Sequence, residues 1–147
     1  MFKKLFGKKE NVEHLLAPIN GQVINIENVP DPVFSGKLMG DGIAILPEEG
    51  VVVSPIDAEV IQVFPTKHAV GLRTKHGIEL LIHVAEGESV KAGDRLVTFN
   101  IEFLKSKVPS IITPIIIMNG ELVEKLEKTN ISQANSNETT IMSVHLK

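Results

Sequence analysis

Cysteine, tryptophan and tyrosine are absent from this chain, and its aromatic hydrocarbon content is limited to six phenylalanines. Without thiols, neither a disulfide framework nor a thiolate metal site can form, so zinc fingers are excluded. The formal charge is −3; Lys3, Lys4, Lys8 and Lys9 gather four cations at the start, which leaves −7 on the rest. An acidic body without stacking Trp or Tyr and without a basic stripe argues against nucleic acid as a partner. No apolar stretch of the chain approaches the roughly 18 residues that span a bilayer, and the start lacks a signal-peptide apolar region, so a cytoplasmic protein is expected. No Gly-rich Lys-Ser/Thr loop is present to cradle nucleotide phosphates, and no His-Glu-x-x-His to build a zinc peptidase.

What the chain does have is β-structure grammar. At 147 residues it is one domain by size and long enough to build its own core. From Leu15 onward, short apolar runs are punctuated by Pro, Gly, Asn and Asp. That spacing predicts an all-β fold: an antiparallel sandwich or barrel, of the barrel-sandwich hybrid kind, with short helical turns only. The helical pieces are expected near residues 101–105 and 120–126. An internal echo supports a pseudo-repeat, since Ala17-Pro18-Ile19-Asn20-Gly21-Gln22-Val23-Ile24 lines up with Ser54-Pro55-Ile56-Asp57-Ala58-Glu59-Val60-Ile61. Each reads as a turn followed by an alternating strand. Residues 1–13 are expected to be a basic tail and residues 14–147 the β domain. Within the tail, Phe2, Leu5 and Phe6 can share a helical face among the lysines, which suits weak contact of residues 1–9 with an anionic membrane surface.

The chemistry is expected from two histidines. His68-Ala69-Val70-Gly71-Leu72-Arg73 and the apolar run 78–84 flank Thr74-Lys75-His76-Gly77, a turn signal with Gly at its end. A loop of two residues (75–76) or four (74–77) sets His68 directly across from His83, with Cβ atoms roughly 4.5–5.5 Å apart; an odd loop breaks that register. Two neighbouring imidazoles can hold a metal, exchange a proton, or present one nitrogen as a nucleophile while the other ring donates a hydrogen bond. Glu79 shares the strand face of His83, yet the spacing lacks a third zinc ligand. His14, His76 and His145 are read as surface residues, and Asp41, Asp57 and Asp94 as turn residues. The irregular stretch 28–42 holds Val33, Phe34, Leu38 and Met39 among prolines and glycines, which fits either a binding loop or one folded onto the core.

Several ordered pieces carry a family resemblance: Ala17-Pro18-Ile19-Asn20-Gly21, Val29-Pro30-Asp31-Pro32-Val33-Phe34, Met39-Gly40-Asp41-Gly42-Ile43-Ala44-Ile45, Val53-Ser54-Pro55-Ile56-Asp57, Thr66-Lys67-His68-Ala69, Glu79-Leu80-Leu81-Ile82-His83-Val84, Val90-Lys91-Ala92-Gly93-Asp94 and Thr113-Pro114-Ile115-Ile116-Ile117. In these the chain resembles the glucose-type enzyme IIA of the bacterial phosphotransferase system. The resemblance implies a phosphotransferase component in which His83 accepts a phosphoryl group from the histidine phosphocarrier protein and passes it to a sugar-specific IIB domain. It implies that His68 assists, that Thr66 holds His68 by a side-chain hydrogen bond, and that Val33, Phe34, Leu38 and Met39 form an apolar docking face with Asp31 at its edge. No cofactor is required on this reading; a zinc ion bridging His68 and His83 to a partner is a further use of the pair. The chain departs from the family after His83, where about sixteen residues that line the rim of the site are missing. The alternative implied by that departure is a binding or regulatory relic, or a truncated variant, that no longer accepts phosphate.

Overall fold

In the computed structural model, residues 12–63, 70–82, 92, 95–98 and 112–147 are described. The chain forms β1 (Val12–Leu16), β2 (Gly21–Asn25), a 3-10 turn (Ile26–Asn28), the one-turn helix α1 (Pro32–Ser35), β3 (Asp41–Pro47) and β4 (Val51–Val53). It continues through β5 (Ala58–Val63), β6 (Val70–Thr74), β7 (Glu79–Ile82), β8 (Arg95–Thr98) and β9 (Thr113–Ile117). A second 3-10 turn (Gly120–Leu122) leads into β10 (Val123–Lys128), β11 (Gln133–Ala134) and β12 (Thr140–Leu146). The all-β expectation holds. A seven-stranded sheet has the order β11-β2-β3-β9-β7-β6-β5; beside it lie a three-stranded sheet, β10-β12-β1, and the pair β4-β8. All of these pairings are antiparallel.

The three central strands β3, β9 and β7 read as nearly unbroken apolar runs because both of their faces are covered. Alternation sorts their side chains. Ile43, Ile45, Leu80, Ile82, Ile115 and Ile117 enter the main core with Leu15, Leu72, Ile78 and Val144. Ala44, Leu81 and Ile116 face the other way and are capped by Ile26, Val29 and Phe34 from the first irregular loop. This second cluster is small, but it fixes where that loop lies.

The internal echo is realised as reciprocal contacts. Leu16 N–H donates to Pro55 C=O at 2.9 Å, and Val53 N–H donates to Pro18 C=O at 2.7 Å. Shifting the first bond by the repeat offset produces the second, so the two turns brace each other about a local pseudo-twofold axis.

One local expectation fails and another holds only in part. The β6–β7 loop has three residues, Lys75, His76 and Gly77, because Thr74 N–H bonds Ile78 C=O at 2.9 Å and Gly77 N–H bonds Thr74 C=O at 3.0 Å. Gly77 sits at φ +90°. A turn closed by a left-handed Gly is the ordinary three-residue hairpin, and its odd length shifts the register by one. Observed partners are Val70↔Ile82, Gly71↔Leu81, Leu72↔Leu80 and Arg73↔Glu79. Of residues 120–126, Gly120–Leu122 form a short helical turn and the rest do not continue it. After its 3-10 turn the segment becomes β10, because pairing along β12 (Val123↔Leu146 to Lys128↔Met142) supplies partners that a short isolated helix could not match. The other expected helical piece, 101–105, lies outside the described residues.

Candidate functional site

His68, His83 and Thr66 lie outside the described residues; the strands that lead to them do not. β6 begins two residues after His68 and β7 ends one residue before His83. Both strands are rigidly seated, with Val70, Leu72, Leu80 and Ile82 entirely buried. Asn119, which the sequence reading did not single out, clamps the start of β7. Its Nδ2 donates to Gly77 C=O and its Oδ1 accepts from Glu79 N–H, both at 2.8 Å. Glu79 carries an ion pair with Arg73 at 3.4 Å, and no group of three or more His, Asp or Glu side chains gathers among the described residues. The described residues thus lend the zinc bridge no support.

The loop above Leu81 divides its apolar side chains between two jobs. Asp31 caps α1, its Oδ1 accepting from Val33 N–H at 2.9 Å, and Pro32 opens the helix where a missing N–H costs nothing. Phe34 turns inward and is 6% exposed, packed with Leu81, Ile116 and Ala44. It supports the loop from beneath rather than facing a partner, which corrects its expected place on the docking face. Val33, Leu38 and Met39 face out, at 38%, 77% and 37% exposure. Below them, Gly40 adopts φ +141°, and a Cβ at that position would collide with the carbonyl of Ile117. The loop therefore lies tight against β9.

A chain of alternating charges runs along the edge of this patch. Lys37 Nζ pairs with Glu27 at 3.1 Å and with Asp41 at 3.7 Å, and Lys128 Nζ reaches Asp41 at 2.7 Å. The hydrogen bond to Glu27, followed by the field of Asp41, raises the Lys37 pKa. Glu27 is lowered by its own backbone N–H and then by Lys37. For Asp41, burial pushes upward, but the bonds from Lys128 and from Gly42 N–H outweigh it and the net shift is downward. Depressed carboxylates stabilise the fold above their unfolded values, 4.5 for Glu27 and 3.8 for Asp41, and lose that contribution as pH falls through their lower folded values. We expect the chemical shifts of Leu38 and Met39 amides to stay constant from neutral pH down to about 4.5 and to move together below it; movement beginning near pH 6 would contradict this.

At the far end of the hairpin, Glu13 is 4% exposed and serves three donors. Thr74 Oγ1 reaches Glu13 at 2.6 Å, His76 Nδ1 at 2.7 Å and His76 N–H at 3.3 Å. His76 is a surface residue, as expected, but one tied to a buried carboxylate. The signal was available: in Val12-Glu13-His14-Leu15 a lone acid shares the strand face of Leu15, which implies a buried partner. His14 and His145 also sit toward the surface, bonded to Ser143 at 2.8 Å and Glu127 at 2.7 Å.

The chain matches the family model for the EIIA 1 component of the phosphoenolpyruvate-dependent sugar phosphotransferase system over residues 13–85 and 83–123. It belongs to this family. The "PTS system glucose-specific EIIA component" of Bacillus cereus is 48% identical over 165 positions, covering all of both chains, and that of Staphylococcus epidermidis is 41% identical over 163 positions, covering 98% of each. The glucose permease IIA structure from Mycoplasma capricolum superimposes with a TM-score of 0.77 at 32% identity, covering 95% of this chain and 99% of that one. Aligning all 147 residues over 165 positions leaves 18 positions with no residue of this chain. The family match breaks into two pieces that meet at residues 83–85, next to the point where the sequence departs from the family pattern.

Proposed function

We propose that this EIIA domain relays a phosphoryl group from the histidine phosphocarrier protein, through His83, to a sugar-specific IIB domain during sugar uptake. The observation that carries the reading is the joining of two elements by one cluster: Leu81, two residues before His83, is packed beneath the loop that exposes Val33, Leu38 and Met39. If β7 runs on, alternation sets residue 83 on that same face. A partner seated on the apolar patch then meets the reactive ring, and the patch excludes water that would hydrolyse a phosphorylated imidazole. Asp31 is the polar edge of the docking face. The named relatives are glucose-specific, and glucose is the sugar we propose here.

In the transfer, a lone pair on a neutral His83 ring nitrogen forms the new P–N bond as the P–N bond on the incoming carrier breaks. His68 donates an N–H to the phosphoryl oxygens, where charge spreads in the loose transition state, and Thr66 holds the His68 tautomer.

The observed hairpin register, extended unchanged, pairs His83 with Ala69 rather than His68. Bringing the rings together requires a shift of one residue. Pro114 supplies a reason for one. Met118, just after β9, donates its N–H to Glu79 C=O at 2.8 Å, so by alternation residues 114 and 116 of β9 also direct their backbone toward β7. The observed β9–β7 register ends at Ile115↔Ile82; continued by one residue it would reach residue 114, and proline has no N–H to give. A ladder continued to that step would lack a donor, the kind of place where a bulge is tolerated.

The test is transfer itself. Incubated with phosphoenolpyruvate, enzyme I and the histidine phosphocarrier, the chain should gain one acid-labile phosphoryl group and pass it to a glucose-type IIB domain; a chain that takes up none is the binding relic. Leu38→Asp should slow uptake on the order of tenfold with an unchanged melting temperature, because it spoils only the exposed patch. Phe34→Ala should destabilise the fold by about 3 kcal/mol by emptying the second cluster. Calorimetry with uptake kinetics separates the two, and equal destabilisation would contradict the division of roles. Residues 1–9, proposed to touch an anionic membrane weakly, lie outside the described residues.

A further inference from the structure

We propose that Lys37 is a positioning residue for docking: paired with Glu27 and Asp41, it holds the exposed Leu38 and Met39 in their partner-ready places before any partner arrives. The inference rests on the phosphocarrier reading, for which that patch is the docking face.

The termination of α1 makes the case. Leu38 N–H bonds Val33 C=O at 3.1 Å and Lys37 N–H bonds Phe34 C=O at 3.0 Å, the nested pair that closes a helix with a left-handed residue. That residue is Lys37, at φ +58°, although a glycine stands one position earlier at Gly36, where φ is −87°. A side chain with a Cβ is disfavoured in this conformation, which glycine adopts freely. The Lys37 side chain offsets that cost by tying three separate segments together. Glu27 lies in the 3-10 turn before α1, and Asp41 opens β3. Asp41 is anchored in turn by Lys128 at the end of β10 and by Gly42 N–H at 2.8 Å. The left-handed step swings the chain so that Leu38 stands 77% exposed beside Val33 and Met39. Surface ion pairs contribute little singly, but three that link four charges and fix one loop geometry remove an ordering cost at binding.

Lys37→Gly keeps the backbone conformation and removes the pairs. We expect it to raise the KM for the phosphorylated histidine phosphocarrier by roughly three- to tenfold with kcat unchanged, the signature of lost preorganisation. Lys37→Arg should restore the KM. Glu27→Gln should act in the same direction, and the double variant should be no worse than the more affected single one. The gap between wild type and Lys37→Gly should close in high salt, where these exposed pairs are screened. In the free protein, Lys37→Gly should increase picosecond-to-nanosecond motion of the Leu38 and Met39 amides. An unchanged KM, a loss confined to kcat, or multiplying effects in the double variant, as two independent partner contacts would give, overturns the proposal. If wild type takes up no phosphoryl group the phosphocarrier reading fails, and unchanged amide order in Lys37→Gly then removes the latch as well.

Discussion

His83→Ala is expected to reduce phosphoryl uptake to background, a loss of at least about four orders of magnitude, because alanine offers no lone pair to form the P–N bond. His68→Ala should behave differently. On the proposed roles it retains the acceptor nitrogen and loses only a hydrogen-bond donor to the phosphoryl oxygens, so it should still be phosphorylated while transfer onward slows by about 10²–10³-fold. His76→Ala is the control, since that ring lies at the turn of the same hairpin, bonded to Glu13. Single-turnover labelling of the three variants distinguishes the roles. Full labelling of His83→Ala, or its loss in His76→Ala, would place the acceptor elsewhere.

The second large effect is on stability. Glu13→Ala should lower it by about 2–3 kcal/mol, equivalent to roughly 5–10 °C in Tm for a domain of this size. The buried Thr74 hydroxyl loses its 2.6 Å acceptor while still accepting from Ile78 N–H, and the His76 ring loses its partner. The part that comes from His76 is small, because that side chain is 39% exposed and water can replace the bond. Glu13→Gln should recover most of the loss, since its amide oxygen can accept from Thr74. Equal melting of Glu13→Ala and wild type would show that the lock between β1 and the hairpin turn is not under load.

The sheet was legible because its strongest elements are long apolar runs that tolerate one reading only. Ile115, Ile116 and Ile117 are buried on both faces, and the sequence shows them as an unbroken stretch. The turn echo at Pro18 and Pro55 was legible for a similar reason: proline and its neighbours set a backbone corner whatever packs around it. Loop length was not, since Thr74-Lys75-His76-Gly77 suits hairpins of two, three or four residues and the left-handed Gly77 decides among them only in space. The segment 120–126 has helical spacing, but only Gly120–Leu122 is helical and Val123 onward becomes β10 because β12 lies beside it, a long-range fact no local pattern contains. In the loop of residues 28–42 the apolar residues take different directions. Val33 and Phe34 are adjacent and apolar, yet α1 points one outward and the other into the second cluster. Asn119 and Lys37 act through partners 40 residues and 10 residues away, and neither gives a local signal.

Relay through His83 as proposed requires two imidazoles to meet at the open end of the β6–β7 hairpin, despite a three-residue turn that by itself would set them on opposite faces. The most direct test is a nuclear Overhauser measurement between selectively labelled histidine rings in the unphosphorylated protein. We expect a cross-peak between the rings of His68 and His83, within about 5 Å, as same-face strand neighbours give. A His83 ring that shows contacts to Ala69 and none to His68 would mean that the register runs on unshifted, and would contradict the account.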